Sequence, residues 1–496
     1  PSVEPERAAR PMIVRDLAPI EADLAACRLA DLPGLVFLDS SMRPEALGVH
    51  ARLGRWSYVA ADPWAFLTVR DGRASLDGVE QPDAPLDALR RLLAFTPRTA
   101  SERDLPPFLG GAVGFLSYDF GRRLERLPAP RQEEPVAEAI FGLYDTFLAF
   151  DHLEHRVRLI STGRPEIDEA ARRRRAQARA DLFLMRLAGP PRRGGGPPPR
   201  LDFRPTVDRA GHEARVAAGV EHVLAGDVFQ VNLAQRFVAP LPPDFDALAF
   251  HRALRAANPA PFSAFLDFGE VRVASSSPER FLEVRNGRVE SRPIKGTARR
   301  LDDPAEDVLA ATRLATSEKD RAENVMIVDL MRNDLARVCD DASVEVPVLC
   351  GIESYAGLHH LVSVVTGRLA AGRDAIDAVA AAFPGGSITG APKIRSQEII
   401  TELEGHGRGV YCGSIGWIGH DGAMDLDIAI RTVVFRAGEA TVSVGGGITA
   451  LSDPADEYEE TLIKAARIFA AARGDAAPVP SAGLGREPAA TREAAE

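Results

Sequence analysis

The sequence predicts an α+β fold built on large antiparallel sheets. Apolar or alternating runs recur between turn residues, and several are joined through Asp-Gly, Asn-Gly or Ala-Gly, the dipeptides of tight hairpins. Long helical patterns fall between these runs, as in folds where helices cover antiparallel sheets. No period of roughly 20–50 residues repeats, which argues against a solenoid.

In chain order the strand candidates begin with "GLVFLDS" (34–40), whose apolar run is bounded by Gly and Asp-Ser. "FLTVRDGRASLDG" (66–78) alternates on either side of Asp-Gly and reads as a hairpin. "YDTFLAFDHLEHRVRLIS" (144–161) and "PFSAFLDFGEVRVASSS" (261–277) are rich in aromatic and β-branched residues. "RFLEVRNGRVESRPI" (280–294) turns at Asn-Gly, and 414–448 supplies further strands through Asp-Gly and Ala-Gly. Helical periodicity covers 303–338 and 455–473.

At 496 residues the length sets a prior of about three domains. The most visible break is "AGPPRRGGGPPPR" (188–200), where Pro and Gly can neither continue a helix nor pair as a central strand. The expectation is an N-terminal region over 1–187, a flexible and dispensable linker over 188–200, a second region over 201–473 and a disordered tail over 474–496.

A formal charge of −11 argues against nucleic acid or an anionic membrane as partner, since both require a basic face. The four cysteines are scattered without a C-x-x-C pair, which fits a reducing compartment. No apolar run approaches the roughly 18 residues of a membrane span, and the first residues lack a signal pattern, so a cytoplasmic protein is expected.

Two segments place carboxylates on shared helical faces. Asp320 and Glu323 lie at i, i+3 in "SEKDRAENVMIVDL", while Glu457, Glu460 and Lys464 lie at i, i+3, i+7 in "DEYEETLIKAARI". Solvated salt-bridge faces explain either helix alone. Two such helices together suit a hard divalent cation, because Mg²⁺ takes one or two carboxylates plus water and substrate oxygens. "SVGGGITA" (443–450) exposes backbone to an anion or marks a sheet corner. Arg431, in "DLDIAIRTVVF" (425–435), is expected inside an otherwise apolar strand and needs either a structural partner or a carboxylate ligand. "FPGGSITGAPK" (383–393) lacks the ending of a phosphate loop, and Cys412 is not followed by the helix of a nucleophile elbow. Lys295, in "RPIKGTARR" (292–300), is by itself an ordinary loop lysine.

In order, "SSSPERF" (275–281), "RPIKGTARR", "SEKDRAENVMIVDLMRNDLARVC" (317–339), "FPGGSITGAPK", "YCGSIGWI" (411–418), "DLDIAIRT" (425–432) and "DPADEYEETLIKAARI" (453–468) resemble the chorismate-utilising enzymes. The resemblance is dense over 210–472, and "GRWSYVAADP" (54–63) and "GGAVGFLSYDFGRRLERLP" (110–128) extend it to the two amino-group-adding branches. It implies a β-sandwich-like core flanked by helices. Lysine at 295, "YDFGRR" and glutamine at 230 are similar to the aminodeoxychorismate branch, with the anthranilate branch as the alternative.

The resemblance implies a set of roles. Lys295 attacks ring carbon 2 of chorismate, and Glu279 is the general acid for the leaving hydroxyl on carbon 4. Ammonia then adds at carbon 4. Deprotonating a free lysine at pH 7 costs about 4.6 kcal/mol, so a buried site must lower that penalty. Glu323 and Glu460 match direct Mg²⁺ ligands, with Asp320 and Glu457 acting through water. Lys464 and the backbone beside Thr297 match the ring-carboxylate site, and His360 lies near the ring. Tyr411, Arg431 and the glycines Gly445 and Gly446 match the grip on the enolpyruvyl carboxylate. No glutaminase elbow is present, so ammonia is expected from a separate glutamine amidotransferase subunit. Tryptophan is a further expected ligand, near "LDSSMRP" (38–44).

Overall fold

The computed structural model describes residues 12–98, 102, 104–196, 200–301, 303–355 and 358–475. They form two twelve-stranded sheets, and every strand pairing is antiparallel. The first runs Ile13–Leu17, Arg156–Ser161, Thr146–Asp151, Trp56–Ala60, Val36–Asp39, Phe262–Asp267, Arg272–Ser277, Thr432–Arg436, Glu439–Ile448, Gln230–Pro240 and Arg204–Pro205, with Gly390–Ala391 paired to Gln230–Pro240 off this path as the twelfth. The second runs Ile294–Arg299, Leu358–Arg368, Arg288–Ser291, Arg280–Arg285, Met424–Asp427, Ser414–Gly419, Gly111–Leu116, Ala139–Tyr144, Ala65–Arg70, Arg73–Leu76 and Val79–Glu80, with Glu345–Tyr355 paired to Leu358–Arg368 off this path as the twelfth. The hairpin dipeptides behave as their chemistry requires. Asp71-Gly72, Asn286-Gly287 and Ala437-Gly438 all hold positive φ at both central positions, the turn whose twist matches paired strands.

The layers follow from which faces are apolar. Val36, Tyr58 and Phe147 of the first sheet share a core with Phe115, Ile140 and Trp417 of the second, so the two sheets pack face to face. The other face of the first sheet is covered by the helices Ala22–Leu29, Glu169–Ala188, Ala247–Ala257 and Pro454–Arg473. The other face of the second is covered by Pro85–Leu93, Glu318–Ala336 and Ala375–Ala382. The result is a β-sandwich with helical outer layers, and no helix among the described residues is long and apolar enough to cross a membrane.

Three expectations change. The division at 188–200 is not a division of the fold: each sheet joins strands from both sides of it, as where Val36–Asp39 pairs with Phe262–Asp267 and Gly111–Leu116 with Ser414–Gly419. Nor are residues 188–196 a loose tether. The Arg192 amide donates to the Cys27 carbonyl at 2.8 Å and the Gly194 amide to Asp246 at 2.7 Å, while Arg252 donates to the Gly194 carbonyl at 2.6 Å. The expected helix over 303–338 is two helices, Pro304–Thr316 and Glu318–Ala336. Ser317 between them has extended φ/ψ, and its hydroxyl caps the second helix by accepting from the Asp320 amide. Of the expected tail, residues 476–496 lie outside the described residues. All four cysteines are free and buried.

A buried ion pair ties the layers near the site. Arg408 donates to both oxygens of Glu404, at 2.6 and 3.0 Å, and also to the Asn232 and Ile388 carbonyls. Glu404 in turn accepts from the Ala234 amide at 2.9 Å. Burial pushes the Glu404 carboxyl up, but the guanidinium outweighs it and holds the carboxyl below its ordinary range. Removing one partner strands a buried charge. Glu404→Ala is expected to cost about 3–5 kcal/mol in urea unfolding. A loss below 1 kcal/mol would show the pair to be dispensable.

Candidate active site

A cavity of about 790 Å³ is lined by strands of both sheets and by the helices Glu318–Ala336 and Pro454–Arg473. The predicted site residues converge on it from five separate stretches of sequence: Glu279; Lys295 and Thr297; Asp320 and Glu323; His360; and, from the last third of the chain, Tyr411, Arg431, Gly445, Gly446, Glu457, Glu460 and Lys464.

 All thirteen therefore border this single space, although their positions span residues 279 to 464.

Glu279 is 4% exposed, and its oxygen accepts from the Ile294 amide at 3.3 Å. Burial pushes its carboxyl up to about 7, against the opposing pull of a Ser387 hydrogen bond and the Lys295 charge. Such a group still holds its proton near neutrality, as a general acid must. Lys295 is half-buried and has no ion pair or hydrogen bond of its own among the described residues. Burial lowers its pKa, while the carboxylates of Glu323 and Glu279 pull the other way.

The carboxylates gather opposite. Gln230 donates to Glu323 at 3.3 Å, and Ser452 donates to Glu457 at 2.7 Å. Burial raises both of these carboxyls. Burial also pushes Glu460 up, but Lys464, 2.6 Å away, outweighs it and holds Glu460 low. Lys464 donates as well to the Gly445 carbonyl at 2.8 Å. Gly445, Gly446 and Gly447 form a regular strand paired with Ala234, Leu233 and Asn232, and not a corner. They are glycine because the space is taken. A Cβ at Gly445 would stand 2.3 Å from the Leu233 carbonyl oxygen, at Gly446 2.8 Å from the Glu457 carboxylate, and at Gly447 1.7 Å from the Gln230 amide. Asp320 closes against Gly296, where an added Cβ would meet it at 2.9 Å.

No three His, Cys, Asp or Glu side chains among the described residues form a ready-made metal cage. The donor set nevertheless fits a hard cation, since Asp320, Glu323, Glu457 and Glu460 offer only oxygen and Mg²⁺ needs one or two of them.

At the other end, the Thr297 hydroxyl lies 3.0 Å from His360 Nδ1. His360 is 2% exposed, and burial, reinforced by Arg431, lowers its pKa to about 3, so the ring is neutral. Tyr411 is buried, which raises its phenol. Arg431 is not inside a strand as expected. The chain leaves one sheet after Met424–Asp427 and enters the other at Thr432–Arg436, and Arg431 occupies the crossover with φ +52°. That left-handed backbone aims its guanidinium into the cavity wall. Sequence reasoning missed Ser387, Lys319 and Arg467, which also border the cavity. Arg467 follows Lys464 by three residues, so helical spacing could have found it. Ser387 had no such signal.

The sandwich and its cavity define a chorismate binding enzyme: the pattern of that family matches residues 51–470, and the chain belongs to it. It is 41% identical over 446 residues to "Aminodeoxychorismate synthase component 1" of Klebsiella aerogenes, covering 87% of this chain and 95% of the relative. It is 42% identical over 405 residues to "Anthranilate synthase component 1" of Streptomyces coelicolor, covering 78% and 77%. Among solved structures, anthranilate synthase component I from Streptococcus pneumoniae superposes with a TM-score of 0.76 at 33% identity, covering 84% of this chain and 92% of that one.

Proposed function

We propose that the protein is a component 1 of aminodeoxychorismate synthase, converting chorismate and ammonia to 4-amino-4-deoxychorismate and water for 4-aminobenzoate and folate synthesis. The observation that most favours this over anthranilate formation is a lysine, Lys295, on the same cavity wall as a carboxyl poised near neutrality, Glu279. The lone pair of neutral Lys295 attacks ring carbon 2, both ring double bonds shift, and the hydroxyl on carbon 4 departs as water with the Glu279 proton. Ammonia then adds at carbon 4, the double bonds shift back, and the bond from carbon 2 to lysine breaks. The proton shed by the new ammonium returns to Glu279, which restores both groups.

Lys464 and Thr297 would orient the ring carboxylate, with Tyr411, Arg431 and the Gly445–Gly446 backbone on the enolpyruvyl carboxylate and His360 beside the ring. Mg²⁺ would be held by Glu323 and Glu460, with Asp320 and Glu457 acting through water, and would supply positive charge to the ring carboxylate. A second protein supplies the ammonia, in keeping with the relatives' designation as component 1; we assign it as a glutamine amidotransferase. We further assign tryptophan to the neighbourhood of Leu38 and Ser40, which do not border this cavity.

The test is mass spectrometry of products from chorismate, Mg²⁺ and an ammonium salt, with and without a lyase that releases 4-aminobenzoate. Aminodeoxychorismate is expected; anthranilate with pyruvate would overturn the reading. Stripping divalent ions with EDTA is expected to reduce turnover at least about tenfold, with recovery on adding Mg²⁺. An unchanged rate after chelation would remove the metal from the scheme.

A further inference from the structure

The Pro454–Arg473 helix turns four charged side chains toward the cavity in the order acid, acid, base, base: Glu457, Glu460, Lys464 and Arg467. The first three have partners in Ser452, in one another and in the Gly445 carbonyl. Arg467 makes no hydrogen bond or ion pair among the described residues. The same is true of the Arg431 guanidinium, which reaches the same cavity from the crossover between the sheets. Burial, with the Arg467 charge added to it, brings Arg431 down to about 10. A desolvated guanidinium facing a second cation is unfavourable until an anion comes between them.

Lys464 cannot supply that second cation, because its ammonium is already shared between Glu460 and the Gly445 carbonyl. Arg467 lies one turn further along the same face, about 4.5 Å of helical rise from Lys464. The face therefore offers one cation to each end of a ligand carrying two carboxylates.

We propose that Arg467 and Arg431 close as a two-guanidinium clamp on the enolpyruvyl carboxylate of chorismate, which makes Arg467 a specificity-determining residue. The inference rests on the chorismate reading of the cavity. Each planar fork presents paired donors to one carboxylate, and the site thereby prefers a dicarboxylate to a ring acid lacking the enolpyruvyl group.

Calorimetric titrations of the Mg²⁺-supplemented full chain test it. The ligands are chorismate and 3,4-dihydroxycyclohexa-1,5-diene-1-carboxylate, which keeps the ring carboxylate and lacks the second. Arg467→Gln is expected to weaken chorismate binding about ten- to a hundredfold and to leave the monocarboxylate within about twofold. Arg467→Lys is expected to recover part of the loss, since a point charge replaces the fork. Unchanged chorismate affinity in Arg467→Gln, or an equal loss for both ligands, would overturn the clamp. Wild-type protein that binds neither ligand would instead overturn the chorismate reading, so the two failures are distinguishable. Arg467 is exposed on its helix, and circular dichroism of the variants checks that the fold is kept.

Discussion

Lys295→Ala is expected to lower 4-amino-4-deoxychorismate formation by on the order of a thousandfold or more, with chorismate affinity changed only a few-fold. The large effect follows from the covalent step assigned to the amine, and Lys464 cannot replace it because its ammonium is shared between Glu460 and the Gly445 carbonyl. The small effect on binding follows from the assignment of both substrate carboxylates to other groups. A loss of acid catalysis does not explain the expected defect. The Lys295 charge helps hold the Glu279 carboxyl down, so its removal leaves Glu279 more firmly protonated. A coupled lyase assay for 4-aminobenzoate reads the rate, and calorimetry reads the affinity. Full aminodeoxychorismate output from the alanine variant would remove the covalent role.

The legible parts of this site were those set by local arithmetic. Asp320 with Glu323, and Glu457 with Glu460 and Lys464, share helix faces because of the 3.6-residue turn, and the structure brings both faces to one cavity. The hairpins were legible for a similar reason, since Asp71-Gly72 and Asn286-Gly287 suit the left-handed turn wherever they occur. Long-range pairing was not. A Pro- and Gly-rich stretch at 188–200 looks like a boundary, yet nothing in composition records that Val36–Asp39 hydrogen-bonds to Phe262–Asp267. Arg431 was visible as a charge among apolar residues, but the change of sheet that places it was not. Ser387 stayed hidden because its relation to Glu279 spans more than a hundred residues and has no periodicity.

The second large effect concerns Glu279. The productive state carries one proton across the acid and amine pair, on Glu279 and not on Lys295. With two protons the lysine is an ammonium and cannot attack; with none the leaving hydroxyl has no acid. The pH profile of kcat/KM is therefore expected to be bell-shaped, and its flanks belong to the pair and not to either residue alone. Burial raises Glu279 to about 7 and lowers Lys295, so the bell is narrower than for a free carboxyl and a free lysine. Glu279→Gln removes one proton from this count. Its rate is expected to fall about a hundred- to ten-thousandfold. What activity remains should rise with pH as Lys295 loses its proton and then level off, with no decline at high pH. The neutral amide keeps the size of the side chain, and its oxygen can still accept from the Ile294 amide, so the fold is expected to persist. A Glu279→Gln variant that kept the alkaline decline would place the acid elsewhere, because the group responsible for that flank would still be present.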